Sequence, residues 1–483
     1  MKELKLLSLV LVAGTATLFT ACTTESDNSP SAKISYETVA AAQQVPVTFG
    51  SYLGEQAITR FGSGGSITSY ATLNAKGFGV FAYYTQNDVY SASATPNFMY
   101  NQSVQFTDTD GDSTPDAWTY SPIKYWPNDY NSTGAVDQQT SPATGSASDK
   151  LSFFAYAPYE ASGANGTPSG TSTRESSTEV GICAFTGNSA TGDPKVTYAA
   201  RRANTISNAV DLLWGVAVTG GLSYTTANNG TQNVPAGMPL ISLVKPTTGT
   251  AITFAFNHAL AGLNLTAAAK FNNGSYTTIP DETFIHIDEV VISSSNLNDT
   301  GILNLNNTST GVNVPNWDVS GASNVLPTTT FTLSNGDISS YLRYTDVGST
   351  VANIKNGVGR ESTTAAAKTT TPQQVIDGNV SEGEVSKSKV FTMIPTAVTG
   401  EDKITFDVTV TYYVRTKDPA LVKGYSSVKN KIKKSVSFGD PGLAGNKIYT
   451  INMILGLEDV TLTGTVEPWG DGSTQSVYLP ENS

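Results

Sequence analysis

Four carboxylates within one short stretch offer the clearest chemistry in the chain. Asp108, Asp110 and Asp112 alternate, and Asp116 follows four places on, in Asp108-Thr109-Asp110-Gly111-Asp112-Ser113-Thr114-Pro115-Asp116. Carboxylates so spaced converge on Ca²⁺ around a tight loop. The glycine falls one place earlier than in an EF-hand loop and the bidentate Glu is missing, so a solvated acidic hairpin tip is the competing reading. Structural calcium is the single cofactor suggested. The two histidines offer little. His258 lies on the same side as Ile252, Phe254 and Phe256 and reads as a hydrogen-bonded core residue. His286, between Ile285 and Ile287, is expected to face solvent. Cys183 sits in Gly181-Ile182-Cys183-Ala184-Phe185, an apolar setting that suits a buried, inert thiol. No nucleophile elbow, phosphate loop or zinc signature occurs. A carboxylate pair for glycoside hydrolysis is defined by separation in space, and no local motif singles one out. Trp118, Tyr120, Tyr125, Trp126 and Trp469 suit either sugar-stacking platforms or core filling, and strand-rich chains favour the second. The chain reads as a non-enzyme.

The elements that hold these residues are strands. Among 483 residues charged side chains are few, at 14%, which does not favour long solvated helices. Lys and Arg number 28 against 40 Asp and Glu, a net charge of −12, which argues against a nucleic-acid partner. Phe78 to Tyr84, Asn97 to Thr107, Ala117 to Pro122, Lys150 to Tyr159, Val196 to Tyr198 and Val210 to Ala217 read as strands, as do Phe284 to Ser293 and Gly301 to Leu305. The first strand is Val45 to Leu53, with Val45, Val47, Phe49 and Leu53 on one face. Pro46 lacks a ladder donor and favours a peripheral position. Leu260 to Lys270 reads as a short helical or bulged segment, and Lys355 to Lys387 as a long polar loop. Ile404, Phe406, Val408, Val410, Tyr412 and Val414 alternate with polar residues and pin their register strongly. Tyr449 to Leu455 repeats the pattern, and Val460 to Trp469 closes it. Many short strands with turn signals between them indicate an all-β chain of β-sandwiches.

The amino terminus reads as an export signal. Lys2 and Lys5 precede an uncharged, mostly apolar run from Leu6 to Phe19 that is too short for a permanent span, so residues 1–21 read as a signal peptide. Thr20-Ala21-Cys22 resembles a bacterial lipobox, with Phe19 where Leu is usual. In that reading Cys22 is acylated and residues 22–33 form a lipidated tether to the membrane; the alternative is ordinary secretion. A composition shift at Val244-Lys245-Pro246-Thr247 divides the rest into 34–245 and 246–483.

Several strings are distinctive in their order and spacing: Phe78 to Thr85, Asn97 to Val104, Trp118 to Asn128, Lys150 to Tyr159, Val210 to Gly215, Ile252 to Leu265 and the closing Tyr449 to Trp469. Together they resemble the fimbrillin-like lipoproteins of Bacteroidales, the type V pilin superfamily. The resemblance implies two tandem transthyretin-like β-sandwich domains, export as an acylated precursor, and use as a stalk, tip or anchor subunit of a cell-surface fimbria on the outer membrane. It also implies a first strand that an Arg-specific protease releases, leaving a groove that a strand from another subunit fills. Burying five or six apolar side chains in this way would contribute on the order of 10 kcal/mol before ordering costs. Here the removable strand would be Val45 to Leu53 and the cut would follow Arg60; cuts at Arg174, Arg201 or Arg202 would sever the domain instead. The donor would be residues 473–479, where Val477 and Leu479 give a short, weak alternation. A monomeric outer-membrane glycan-binding lipoprotein is the first alternative, and a surface hydrolase the second.

Overall fold

Apolar runs that do not alternate need cover on both faces, and Phe78-Gly79-Val80-Phe81-Ala82-Tyr83-Tyr84 is such a run. The computed structural model describes residues 46–53, 70–86, 88–109, 111, 117–127, 149–162, 180–200, 210–218, 234–244, 251–271, 282–294, 297–298, 300–320, 329–334, 336–343, 356–360, 372–377, 390–421, 424–457 and 460–469. Its first half runs β1 (Phe49–Leu53), α1 (Tyr70–Lys76), β2 (Phe78–Tyr84), β3 (Met99–Thr107), β4 (Ala117–Thr119), β5 (Lys150–Ala157), β6 (Val180–Phe185), β7 (Lys195–Ala200), β8 (Leu213–Ala217), β9 (Leu240–Val244) and β10 (Ile252–His258). The large sheet has the order β1-β10-β8-β5-β2-β3-β4, with β9 beside β5. One face of it packs Phe49, Phe78, Val80, Phe153, Phe254 and Phe256 with Leu73 of α1 and Trp126. The other face packs Phe81, Tyr83, Phe154, Tyr156 and Trp214 onto Ile182, Val196 and Tyr198 of β6 and β7. Double cover explains why β2 and β5 read as continuous apolar strings.

The second half runs β11 (Ala261–Ala269), β12 (Thr283–Ser294), β13 (Thr300–Asn304), β14 (Asn316–Asp318), β15 (Thr329–Leu333), β16 (Val358–Arg360), β17 (Gln373–Gln374), β18 (Phe391–Met393), β19 (Thr396–Ala397), β20 (Ile404–Lys417), β21 (Tyr425–Phe438), β22 (Gly442–Leu443), β23 (Lys447–Leu455) and β24 (Val460–Pro468). Sheet β17-β11-β23-β24 and sheet β15-β12-β20-β21 face one another as a sandwich. Leu263, Leu265, Ile285, Ile287, Phe406, Tyr412 and Ile451 fill the space between them. The alternation of β20 lands as expected, with Ile404, Phe406, Val408, Val410 and Tyr412 all buried. The chain is an all-β protein of packed sheets.

Three expectations are corrected. Leu260 to Lys270 is neither helical nor bulged: β11 is an unbroken strand, buried along its whole length, running parallel to β23. It is paired on both edges and buried on both faces, where small residues such as Ala267, Ala268 and Ala269 fit under close cover. The Lys355–Lys387 stretch contains two short strands, β16 and β17, which add to β12 and β11. His286 does not face solvent; it is 1% exposed, as are its neighbours on β12.

The sheets do not part at residue 245. β9 and β10 both belong to the large sheet, and the crossing falls at Ala259 and Leu260. β13 then returns to pair with β7, and β14 pairs with β13 on its far side. Ala259, Leu260, Val390, Ile394, Ile448 and Trp469 therefore share one core with Tyr198, Trp214 and Leu303. Phe153 lies at the centre of the other large-sheet core, with Phe49 at 6.1 Å and Trp126 at 5.8 Å. Phe153→Ala is expected to lower the unfolding free energy by about 3–5 kcal/mol, read from urea unfolding.

Candidate functional site

β1 occupies the end position of the large sheet, and its seat is built from three elements. It runs parallel to β10, with Phe49 opposite Ile252 and Leu53 opposite Phe256. Ile252 N donates to Thr48 O at 2.7 Å. In this register the amides of Gly50 and Tyr52 donate to Ile252 and Phe254, while the peptide groups of Phe49 and Ser51 point away from the ladder. The second element is the segment after β4. Pro46 bridges to Tyr125, and Val47 N donates to Lys124 O at 2.9 Å. Tyr120 Oη donates to Val47 O at 2.8 Å and accepts from Lys124 N at 3.1 Å, so one hydroxyl holds both rails of the seat. Burial holds the Tyr120 hydroxyl above its ordinary pKa and keeps it a neutral donor.

The third element is an aromatic floor. Phe49 meets Tyr120 edge-on at 5.3 Å, Phe153 at 6.1 Å and Phe78 at 6.3 Å, and stacks on Phe254 at 6.3 Å. Val47 is fully covered by the same core. Each of these two side chains contributes about 1.5–3 kcal/mol by burial. The strand is thus held at its start on both flanks, along Phe49 to Leu53 by β10, and from below by a ring of aromatics.

The seat ends at a polar junction. Even-numbered residues from Ile252 turn their peptide groups toward β1, and the even-numbered Leu260 and Lys270 turn theirs toward β23. Leu260 O accepts from Asn446 N at 3.0 Å, and Lys270 N donates to Leu455 O at 2.9 Å. β1 and β23 therefore lie in line along one edge of a single strand path, Ile252 to Ala269. His258 stands where the two meet. Its Nδ1 donates to Asp211 at 2.9–3.0 Å, and its ring stacks on Trp469 at 4.3 Å with the planes 7° apart. Trp317 Nε1 donates to Ala259 O at 2.8 Å beside it. The core role expected for His258 is what the structure shows; its partner Asp211 carried no sequence signal.

The other expected residues scatter. Cys22, Arg60 and residues 473–479 lie outside the described residues, as do Asp110, Asp112 and Asp116. Asp108 Oδ1 accepts from Gly111 N at 2.7 Å, capping the turn between β3 and β4. Among the described residues no three His, Cys, Asp or Glu side chains gather as a metal site, and no helix is long and apolar enough to cross a membrane. Cys183 is buried and unbridged. Trp126 and Trp469 are buried, Trp118 and Tyr120 pack against the core, and Tyr125 is exposed.

No family model matches the chain. It is 29% identical over 168 residues to the fimbrium subunit Fim1C of Phocaeicola vulgatus (strain ATCC 8482), a match covering 33% of this chain and 34% of that protein. The chain thus matches about a third of that relative's length. A fimbrial protein from Bacteroides vulgatus ATCC 8482 shares its fold, with a TM-score of 0.55 at 18% identity over 88% of this chain and all of that one. The chain is akin to fimbrial subunits of Bacteroidales.

His286 provides a pH test of the second sandwich. Burial, with the Arg415 guanidinium adding to it, lowers its pKa from an ordinary 6.5 to about 4. The unfolded chain binds this proton more readily, so the contribution is intact above about pH 6.5, erodes as pH falls and is gone below about pH 4. His286→Phe is expected to flatten the thermal midpoint between those pH values relative to wild type.

Proposed function

We propose that the protein is a subunit of a cell-surface fimbria and that β1 is its replaceable plug. It reaches the outer membrane as a lipoprotein acylated at Cys22. An Arg-specific protease cuts after Arg60 and frees the first strand. An extended strand from another subunit then takes the empty seat, pairing with β10 and setting apolar side chains on the aromatic floor. The observation that carries this reading is the end position of β1, whose Phe49 to Leu53 stretch pairs with β10 alone among the described strands. A strand so placed can leave without opening the rest of the ladder. Of the aromatics that a glycan-binding alternative would use, Trp126 and Trp469 are inside and Tyr125 is exposed, which supports the fimbrial reading over that alternative.

The test is the amino terminus of the protein recovered from surface fimbriae of cells that make it. The expected start is Phe61, and Arg60→Ala is expected to leave the protein out of high-mass fimbrial material while its folded monomer persists. Recovery of fimbriae whose subunits all retain residues 45–53 would overturn the reading.

A further inference from the structure

The floor under β1 is roomy at two positions and shut at the next. Val47 and Phe49 sit in full pockets. At Gly50, on the opposite face, an added Cβ would stand 3.0 Å from Thr253 Oγ1 and 3.4 Å from Thr253 Cγ2. Any larger side chain would push on the one strand that pairs with β1. Gly50 N also donates into the ladder in this register, so proline is excluded as well as bulk. At Ser51 the side chain turns back to the core, and its buried Oγ has no hydrogen-bond partner. That position rewards smallness and offers nothing to a polar or charged group. At Val47 the main-chain contacts, to Tyr120 Oη and Lys124 O, do not depend on side-chain identity, while the buried side chain calls for an apolar residue.

We infer that the seat selects its occupant by sequence, taking an apolar residue, any residue, an aromatic, a glycine and a small residue in that order, and that the segment Ser473–Ser483 is not such an occupant. The inference rests on the strand replacement proposed above and adds which strand is accepted. The chain's own segment Ser473–Ser483 does not satisfy the pattern. With Val477 and Leu479 in the Val47 and Phe49 pockets, Pro480 falls at the Gly50 position, where an amide donor is required and space is short. Glu481 then falls at Ser51, in the core. Shifted by one, Tyr478 fills the Phe49 pocket but Leu479 meets Thr253 and Pro480 follows it. Thr253 is therefore a specificity-determining residue, acting by occupying the space a Cβ would need.

The full chain is cleaved with an Arg-specific protease, and mass spectrometry selects the form that starts at Phe61 with the remainder intact. Labelled peptides of sequence 45–53, the same with Gly50→Val, the same with Gly50→Ala, and 473–483 are titrated against it. The native peptide is expected to bind, and the Gly50→Val and 473–483 peptides to bind at least about tenfold more weakly. Thr253→Ala in the protein is expected to restore the Gly50→Ala peptide to within about twofold of the native one. Equal binding of the valine or 473–483 peptides overturns the selectivity while leaving strand replacement standing. No binding of the native peptide overturns strand replacement, and the inference with it. In the uncut chain, Gly50→Val is expected to speed amide exchange across residues 252–256 at least about tenfold, with partial reversal by Thr253→Ala; unchanged exchange overturns the inference even where the cut form fails to stay folded.

Discussion

The path Ile252 to Ala269 is the constraint from which the rest follows. It serves the large sheet as β10 and the second sandwich as β11, turning the same edge of its backbone to β1 first and to β23 afterwards. Both neighbours run parallel to it, so neither can be joined to it by a tight hairpin. β23 is fixed by β24 on its far side along its full length. Among the described residues β1 has no such second strand beyond the contacts of Pro46 and Val47. One edge of one path therefore carries a neighbour that is itself paired on its far side, β23, and one that stands at the end of its sheet, β1.

The junction between them is where polar chemistry is concentrated. Asp211 is fully buried, and His258 is hydrogen-bonded to it and held flat against Trp469. Burying a carboxylate needs a hydrogen-bonded partner, and this one fixes the end of β10 to the start of β8. The same contacts bring the end of β24 to the end of the β1 seat. The return of β13 and β14 to the first half, with Trp317 bonded to Ala259, locks the crossing from a third side. The two halves share a core and are not beads on a string.

Much of the strand content is legible in the residues, since alternation and apolar strings report one-sided and two-sided burial. β20 shows the first and β2 and β5 the second. The misses have physical causes. β11 is rich in small residues because it is covered on both faces, and small residues carry no strand signal. β21 (Tyr425–Phe438) is full of lysine because it ends its sheet, where charge keeps the edge from pairing with other chains. β16 and β17 are too short to show a period. His286 was expected outside because its neighbours are apolar, but near the start of β12 both faces of the strand are covered. Asp211 gave no hint of its role because its partner is 47 residues away.

The residues alone were enough to read a strand-built chain whose first strand is apolar on one face. Local periodicity and composition suffice for that, because they are properties of neighbouring residues. Only the tertiary structure decided that the first strand lies at a sheet end beside Ile252 to Phe256, that its Phe49 rests on four aromatics, and that Thr253 stands where a side chain at Gly50 would go. Those are meetings between residues far apart along the chain, and no local spacing records them.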